Sequence, residues 1–298
     1  MSTVGFVGLG NMGHPMALNL RRAGHTVLGF DVSEQARQSA AEAGLSIATD
    51  AAAVAEKADV VVTMLQNGDQ VHRVYGGRQG VLAAAAPGTL FIDCSTIAPA
   101  DAQEAQRMAV AAGHRAVDAP VSGGVTGAVA GTLTLMVGGS DDDFSTADEV
   151  LRAVGTRVVH CGSSGAGQAA KLCNNLILAI SMIGVSEAFV LGEALGLTHQ
   201  ALFDVVSQAS GQCWALTTNC PVPGPVPTSP ANRDFEPGFT TALMVKDLGL
   251  AAAAMESTGV EAGLGSLARA LYERFASDGG SALDFSAIIG HFRMRSSG

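Results

Sequence analysis

The feature that most constrains the fold is a glycine pattern near the start of the chain. Within VGFVGLGNMGHPMALNLRRAGHTVLGFD, residues 4–31, Gly8, Gly10 and Gly13 have the spacing G-x-G-x-x-G directly after a β-branched run. Such glycines allow a tight turn, the close approach of a pyrophosphate and the packing of a helix on a strand. Pro15 suits the first turn of that helix, where a missing N–H costs nothing. The pattern predicts a turn that binds a dinucleotide through Gly8, Leu9, Gly10, Asn11, Met12 and Gly13.

Asp31 bears on which dinucleotide binds. It ends the second predicted strand, 18 residues after Gly13. A carboxylate there can accept both ribose hydroxyls of NAD, whereas the 2′-phosphate of NADP would meet like charge. Val32, Ser33 and Glu34 follow, so no arginine adjoins Asp31 in the sequence. We therefore expect NAD as the cofactor.

The first half of the chain alternates short β-branched runs with alanine-rich stretches of helical period. The runs are TVGFVG, TVLGF, ADVVVTML, GTLFIDC, RAVDAP, TLTLMVGG and TRVVHC. Strands that alternate with helices are typical of βαβ units. We expect an α/β domain of the Rossmann type, with a doubly wound, mainly parallel sheet, over residues 1–162.

The second half lacks strand signals after Cys161. The sequence pattern of residues 167–197 predicts one long helix. The pattern of the residues that follow predicts several helices, interrupted by PVPGPVPTSPANRDFEPG. We expect an all-α domain over residues 163–298, joined to the first by the long helix. Substrate binding and oligomerisation are assigned to this domain.

Composition excludes several classes of protein. The 17 basic and 27 acidic residues give a net charge of -10 without a basic run, which argues against nucleic acid and anionic membranes as partners. The five cysteines are scattered and form no C-x-x-C pair, which indicates a reducing compartment and no structural metal.

The N-terminus does not resemble a signal peptide. LILAISMIGV covers half a bilayer and favours a core helix over a membrane span. A cytoplasmic protein is expected.

Lysine is rare in this chain, at Lys57, Lys171 and Lys246 against 14 arginines. The last two lie in the apolar segments KLCNNLILAI and TTALMVKDLGLA. A desolvated lysine can lose its proton, whereas arginine stays charged. Asn175 follows Lys171 by four residues and therefore shares its helix face. The pattern indicates a titratable amine at a site, with a snorkelling or salt-bridged lysine as the alternative.

Small or polar residues follow three of the predicted strands. They are Leu65-Gln66-Asn67-Gly68, Ser95-Thr96 and Ser122-Gly123-Gly124. The carboxyl ends of parallel strands share one edge of a sheet, so these loops should gather over the cofactor. The hydroxyl and free backbone N–H groups of VSGGVTG suit a carboxylate, although an ordinary glycine turn is the alternative.

Four stretches, in order and spanning nearly the whole chain, carry a family resemblance: GFVGLGNMGHPMALNL, DAPVSGGVTGAVAGTLTLMVGG, GAGQAAKLCNN and KDLGLA. The sequence resembles the β-hydroxyacid dehydrogenase family, and within it most closely the members that act on 3-hydroxyisobutyrate. The resemblance implies that Lys171 is catalytic, that Ser122, Gly123 and Gly124 hold the substrate carboxylate, and that Asn175 also holds substrate. It places Leu65, Gln66 and Thr96 against NAD and brings Lys246 into the site from the second domain. Gln66 departs from the family, which commonly has proline there.

The implied reaction is the NAD-dependent oxidation of a short 3-hydroxy acid to its semialdehyde, with Lys171 as general acid/base if its pKa is lowered by burial or nearby positive charge. 3-Hydroxyisobutyrate leads, which would place the enzyme in valine catabolism. L-Serine, 3-hydroxypropionate and D-glycerate, the last giving tartronate semialdehyde, stay open. 6-Phosphogluconate is disfavoured because no basic cluster for a phosphate is evident. A hypothesis of another class is an NAD-sensing module without turnover.

Three further expectations concern the second half. Trp214 either walls the substrate pocket or is a core aromatic residue. Cys173 is expected in the core rather than as a nucleophile. The long helix is apolar on more than one face, so part of it should meet another subunit in a homodimer or homotetramer, with burial by the C-terminal helices alone as the alternative.

Overall fold

The computed structural model of the protein describes residues 1–296. The chain divides into two compact units, of which the first is Met1–Lys171 and the second begins at Leu172. The first unit therefore includes the opening turn of the long helix, Ala166–Ala194. A domain boundary near Gly162 stays a prediction.

Nine strands of the described residues form one sheet in the first unit. They are β1 (Thr3–Val7), β2 (Thr26–Phe30), β3 (Ser46–Ile47), β4 (Val60–Thr63), β5 (Leu90–Asp93), β6 (Arg115–Asp118), β7 (Val121–Ser122), β8 (Leu133–Gly138) and β9 (Gly155–Gly162). The strand order is β3-β2-β1-β4-β5-β6-β8-β7, with β9 paired to β8. Pairing is parallel from β3 to β6, antiparallel at β6–β8 and β7–β8, and parallel at β8–β9. The predicted mainly parallel, Rossmann-type sheet is confirmed.

The central strands are apolar on both faces because helices cover both sides of the sheet. Successive residues of β4 belong to different core clusters, Val60 and Val62 to one and Val61 to the other. The order of strands reverses between β1 and β4, and this switch point leaves a crevice at their carboxyl ends where ligands bind in such folds.

Eight helices accompany the sheet within the described part of the first unit. They are α1 (Gly13–Arg22), α2 (Glu34–Glu42), α3 (Ala51–Ala55), α4 (Gly68–Tyr75), α5 (Val81–Ala84), α6 (Pro99–Ala111), α7 (Gly124–Ala130) and α8 (Asp141–Leu151). The β-branched runs in the sequence predicted every strand of the sheet except β3 and β7. These two were not predicted because each is two residues long, which is too short for a detectable alternation.

The second unit is helical, as expected. The long helix α9 (Ala166–Ala194) is followed by α10 (His199–Val206), α11 (Trp214–Thr217), α12 (Thr241–Thr258), α13 (Gly263–Phe275) and α14 (Ile289–Ser296). Short 3₁₀ helices lie at Pro230–Asn232 and Phe285–Ile288, and a π-type turn at Ala276–Gly280. Large buried side chains of its core include Phe189, Tyr272 and Phe285.

Helix α9 ends at Ala194, three residues before the expected end at residue 197. Gly196 takes a φ of +81°, which only glycine adopts at little cost. The N–H groups of Gly196 and Leu197 bond back to the carbonyls of Glu193 and Gly192, which closes the helix end.

Helix α9 is also, among the described residues, the one helix long and apolar enough to cross a membrane. Of its most apolar window, 44% is buried inside the protein. Core helices of soluble proteins have the same length and composition, so these two properties alone are weak evidence for a span.

Candidate active site

The glycine turn between β1 and α1 leaves room for a ligand at one position. Gly8 has a φ of +100°, and a Cβ there would overlap the main-chain oxygen of Met64. A Cβ at Gly13 would overlap the carbonyl of Gly8, whereas a Cβ at Gly10 would meet nothing within 4 Å. The fold itself thus requires Gly8 and Gly13, and Gly10 keeps open space in front of the α1 N-terminus, where a pyrophosphate fits.

A cavity of about 570 Å³ opens beside this turn. It is lined by residues of the turn, of α1, of α2 and of α7, among them Leu9, Gly10, Asn11, Ser33 and Val125. Asp31 ties two of these segments together, because its carboxylate accepts the N–H of Leu9 at 2.7 Å and that of Ser33 at 2.8 Å. The turn, the cavity and the fixed carboxylate together fit a nicotinamide dinucleotide.

An arginine lies closer to Asp31 than the sequence suggested. Arg37 of α2 donates from Nη1 to the Asp31 carbonyl at 2.7 Å, and its guanidinium lies 5.7 Å from the centre of the Phe30 ring. The expectation that no arginine adjoins Asp31 is therefore wrong in space. Helix α2 packs so that Arg37, six residues after Asp31, contacts it. The sequence argument considered only the next three residues and so did not include Arg37.

The loops after β4 and β5 are joined by hydrogen bonds. Ser95 accepts the N–H of Leu65 at 2.8 Å and donates its hydroxyl to Asp93 at 2.6 Å. Thr63 donates to the same Asp93 oxygen at 2.7 Å. Leu65 and Gln66 are thus held beside the loop that carries Thr96, although their contact with the cofactor stays a prediction.

The segment Ser122-Gly123-Gly124 joins β7 to α7, with Ser122 at the end of the strand and Gly124 at the start of the helix. Gly123 and Gly124 have φ angles of +132° and +61°, so two successive residues need glycine. Val125, the next residue, lines the same cavity as Gly10. The strand before the loop, β7, pairs antiparallel with β8. Its contact with a substrate carboxylate stays a prediction.

Lys171 and Asn175 are buried polar residues of α9, with 7% and 2% of their surface exposed. The Asn175 amide donates to Asp247 of α12 at 2.5 Å and its oxygen accepts from Asn174 at 3.0 Å. Asp247 is buried and follows the partly exposed Lys246. Sequence reasoning missed Asp247, although it stands as an acidic residue in the apolar motif that singled out Lys246.

Asp118 is a second residue that sequence reasoning missed. It ends β6, is buried, and accepts the N–H groups of Gly165 at 2.8 Å and Gln168 at 2.9 Å, together with the Gln106 amide at 2.8 Å. Burial raises the pKa of the Asp118 carboxyl to about 6, against the lowering effect of these N–H donors. The signal was present in DAPVSGG, where an acid directly follows an apolar strand.

Two expectations about single residues change. Trp214 is 51% exposed at the start of α11, so it is not a core aromatic residue; its role as a pocket wall stays a prediction. Cys173 is exposed, and its assignment to the core is wrong, because two residues turn a helix by about 200° away from Lys171. Among residues 1–296, no three His, Cys, Asp or Glu side chains are placed to hold a metal ion.

Comparison with known proteins gives matches along the whole chain. Residues 3–162 match the family model of the NAD binding domain of 6-phosphogluconate dehydrogenase. Residues 165–292 match the model described as NAD-binding of NADP-dependent 3-hydroxyisobutyrate dehydrogenase. A probable 3-hydroxyisobutyrate dehydrogenase of Mycobacterium tuberculosis is 54% identical over 295 residues, 99% of each chain. The chain belongs to the 3-hydroxyisobutyrate dehydrogenase family.

Further relatives agree with this membership. The mitochondrial 3-hydroxyisobutyrate dehydrogenase of Homo sapiens is 45% identical over 290 residues, 97% of this chain and 86% of the relative. The solved structure of Mycobacterium tuberculosis 3-hydroxyisobutyrate dehydrogenase with L-serine has a TM-score of 0.93 at 54% identity, covering 98% of this chain and 99% of that chain. The resemblance found in the sequence is confirmed. As a member of this family the protein is an oxidoreductase that uses NAD(P) and acts on a CH–OH group.

Proposed function

We propose that the protein oxidises 3-hydroxyisobutyrate to methylmalonate semialdehyde, with Lys171 as general acid/base. The observation that carries this proposal is a buried lysine that shares a helix face with a buried asparagine. The full-length relatives named for this activity support the choice of substrate. When bound, NAD(P) supplies the acceptor for the hydride that leaves the hydroxymethyl carbon.

The residues of the chain handle the proton and the orientation of the substrate. Lys171 takes the hydroxyl proton as the carbonyl forms, and in the reverse direction its ammonium group polarises the aldehyde oxygen. Backbone N–H groups of Gly123 and Gly124 and the Ser122 hydroxyl hold the carboxylate. The Asn175 amide, fixed by Asp247, holds substrate beside the amine. Lys246 adds positive charge and Trp214 closes the apolar side.

NAD is the preferred cofactor in this proposal. Two backbone N–H groups fix the Asp31 carboxylate at the glycine turn, so a 2′-phosphate would face a negative charge that cannot turn away. Arg37 offsets part of that repulsion but donates to main-chain carbonyls of Asp31 and Val32. We expect NAD to be favoured, with measurable use of NADP.

L-Serine is a second candidate substrate. The relative from Mycobacterium tuberculosis has been solved with L-serine, which is itself a 3-hydroxy acid with an amino group at C2. The residues assigned to the carboxylate and the hydroxyl do not distinguish a methyl from an amino substituent. 3-Hydroxypropionate and D-glycerate share the same two groups.

Assembly and location complete the proposal. Helix α9 exposes Ile177 at 66% and Leu191 at 60%, and Leu195, directly after the helix, is 71% exposed; we call these three residues the apolar stripe. Burial of this stripe against a second copy would remove it from water, which supports a homodimer or homotetramer. All five cysteines are free, which suits the reducing cytoplasm. A role in valine catabolism follows from the proposed substrate.

The experiment that tests the proposal follows absorbance at 340 nm with NAD or NADP and a panel of 3-hydroxy acids. We expect the highest kcat/KM for 3-hydroxyisobutyrate with NAD. A higher value for L-serine would replace the substrate by the second candidate. Absence of turnover with every acid, together with NAD binding, would identify a sensing module instead.

A further inference from the structure

The first turn of α9 contains a buried glutamine that the reaction described above does not use. Gln168 stands three residues before Lys171 and has no exposed surface (0%). Residues three apart on a helix are neighbours on one face. Gln168, Lys171 and Asn175 therefore form one buried polar stripe along the opening turns of α9.

The Gln168 side chain binds the main chain of the loop that follows β5. Its Oε1 accepts the N–H of Ile97 at 3.1 Å, and its Nε2 donates to the carbonyl of Ser95 at 2.8 Å. Both ends of the amide are used, on either side of Thr96, the residue assigned to cofactor contact. A planar amide bonded at two points fixes both distance and orientation, which a single hydrogen bond does not.

The loop bound by Gln168 is itself fixed to the sheet. Ser95 donates to Asp93 at the end of β5 and accepts the N–H of Leu65, which follows β4. Gln168 thus connects α9 to the loop after β5 and, through Ser95, to the loop after β4. A displacement of either partner would break hydrogen bonds that are buried from water.

The first turn of α9, which carries Gln168, is also fixed to the sheet. The Gln168 N–H donates to Asp118 at 2.9 Å, and Gly165 donates to the other oxygen of the same carboxylate at 2.8 Å. A Cβ at Gly167 would overlap the main-chain oxygen of Met136 in β8, so the turn lies directly on the strand. The first turn of α9 is therefore fixed to β6 and β8 while its glutamine reaches the β5 loop.

We propose that Gln168 is a positioning residue that holds Lys171 at a fixed distance from the Ser95–Ile97 loop, which carries Thr96. It acts through Lys171 and through the Ser95–Ile97 main chain and touches neither substrate nor cofactor. This inference rests on the proposed role of Lys171 as general acid/base. Proton transfer needs the amine in place when the hydride leaves, and a displacement of about 1 Å can cost about 100-fold in rate.

The test compares Gln168→Met with Gln103→Met by pre-steady-state stopped flow, which follows the first turnover at saturating NAD and 3-hydroxy acid. Methionine matches the length of glutamine and forms neither of the two hydrogen bonds. Gln103 is the matched control, since its exposed amide donates to the Ser164 carbonyl just before α9 at 3.3 Å. We expect the rate constant for NADH formation to fall about 10- to 100-fold in Gln168→Met, with unchanged amplitude per folded protein and KM for NAD within about threefold. Gln103→Met should stay within about twofold of wild type.

A merely structural role predicts a different result, namely a lower amplitude from fewer active molecules with an unchanged rate constant. That result, or two variants with equal rate constants, would overturn the proposal. If Gln168→Met does not fold, Gln168→Asn replaces it, because its shorter side chain keeps the amide but cannot span Ile97 and Ser95. Its rate constant should fall as well, and a wild-type rate would overturn the proposal. A wild-type protein that forms no NADH with any 3-hydroxy acid would instead refute the proposed function.

Discussion

Helix α9 has two faces that reverse the usual relation between polarity and burial. Its polar residues Gln168 and Asn175 are fully or almost fully buried, whereas Ile177 and Leu191 are mostly exposed. At 100° per residue the two sets lie on opposite sides of the helix. A buried polar group is costly unless it has partners, and a large exposed apolar surface indicates an interaction site.

The two faces differ in where those partners are found. On the polar face the partners belong to the chain itself, as in the hydrogen bonds of Gln168 to Ser95 and of Asn175 to Asp247. On the apolar face, the residues around Gly184 leave open space, since a Cβ there would meet nothing within 4 Å. The polar face thus finds its hydrogen-bond partners within the chain, whereas the apolar face is the surface that we propose to contact a second copy.

The largest expected effect comes from breaking the polar face at its amine. Lys171→Met should lower kcat by about 10²- to 10⁴-fold, because it removes the proposed general acid/base. The dissociation constant for NAD, measured by fluorescence titration, should change little, because the glycine turn is untouched. Lys57→Met is the control, since Lys57 is exposed after α3. More than a few per cent of wild-type kcat in Lys171→Met would exclude Lys171 as acid/base.

A smaller loss is expected from the partner of Asn175. Asp247→Asn removes the charged acceptor of the Asn175 amide, and a hydrogen bond to a charged group contributes about 1.5–3 kcal/mol. We expect kcat/KM for the 3-hydroxy acid to fall about 10- to 100-fold. Asp204→Asn is the matched control, because Asp204 accepts an amide from Gln200 at 2.8 Å but is exposed. Equal kinetics in the two variants would contradict a role for Asp247 in orienting Asn175.

Asp118, which accepts hydrogen bonds from Gly165 and Gln168 at the start of α9, should make the stability of the protein depend on pH. Burial, with a further contribution from Asp93, raises the pKa of Asp118 from 3.8 to about 6 in the folded protein. The folded state therefore binds a proton between these values that the unfolded state does not, and stability rises as pH falls through 6. From pH 7 to pH 5 this group should add about 1.4 kcal/mol to the free energy of unfolding.

Urea unfolding of wild type and Asp118→Asn at both pH values isolates this contribution. The variant lacks the titrating group, so the difference in stability between the two proteins should change with pH by that amount in favour of wild type at pH 5. Titrating groups that do not interact with Asp118 act equally in both proteins and cancel. A constant difference, or one that grows in the opposite direction, would show that the Asp118 pKa is not raised.

The sequence predicted more of the fold than of the site. The alternation of strands and helices and the glycine turn are local patterns, so the sheet, its mainly parallel pairing and the helical second unit could be foreseen. The site also depends on distant pairs, such as Gln168 with Ser95 and Asn175 with Asp247, which lie 73 and 72 residues apart. The periodicity of apolar residues along the sequence does not show which distant residues form such a pair. Arg37 shows the same limit, because its return to Asp31 depends on how α2 packs.

The smallest effect on the folded chain is expected from the apolar face. Leu191→Glu places a charge where the side chain is already exposed, so the free energy of unfolding measured on the monomer should change by no more than about 0.5 kcal/mol. Association should nevertheless weaken, because a charge would be buried at the interface without a partner.

Val110→Glu is the control variant, because Val110 is an exposed apolar residue on α6 of the first unit. Light scattering after size exclusion should give a dimer or tetramer for wild type and the control, and a shift toward 30.1 kDa for Leu191→Glu. A wild-type protein that elutes as a monomer at micromolar concentration would refute the interface, and an unchanged mass in Leu191→Glu would place the contact on another surface.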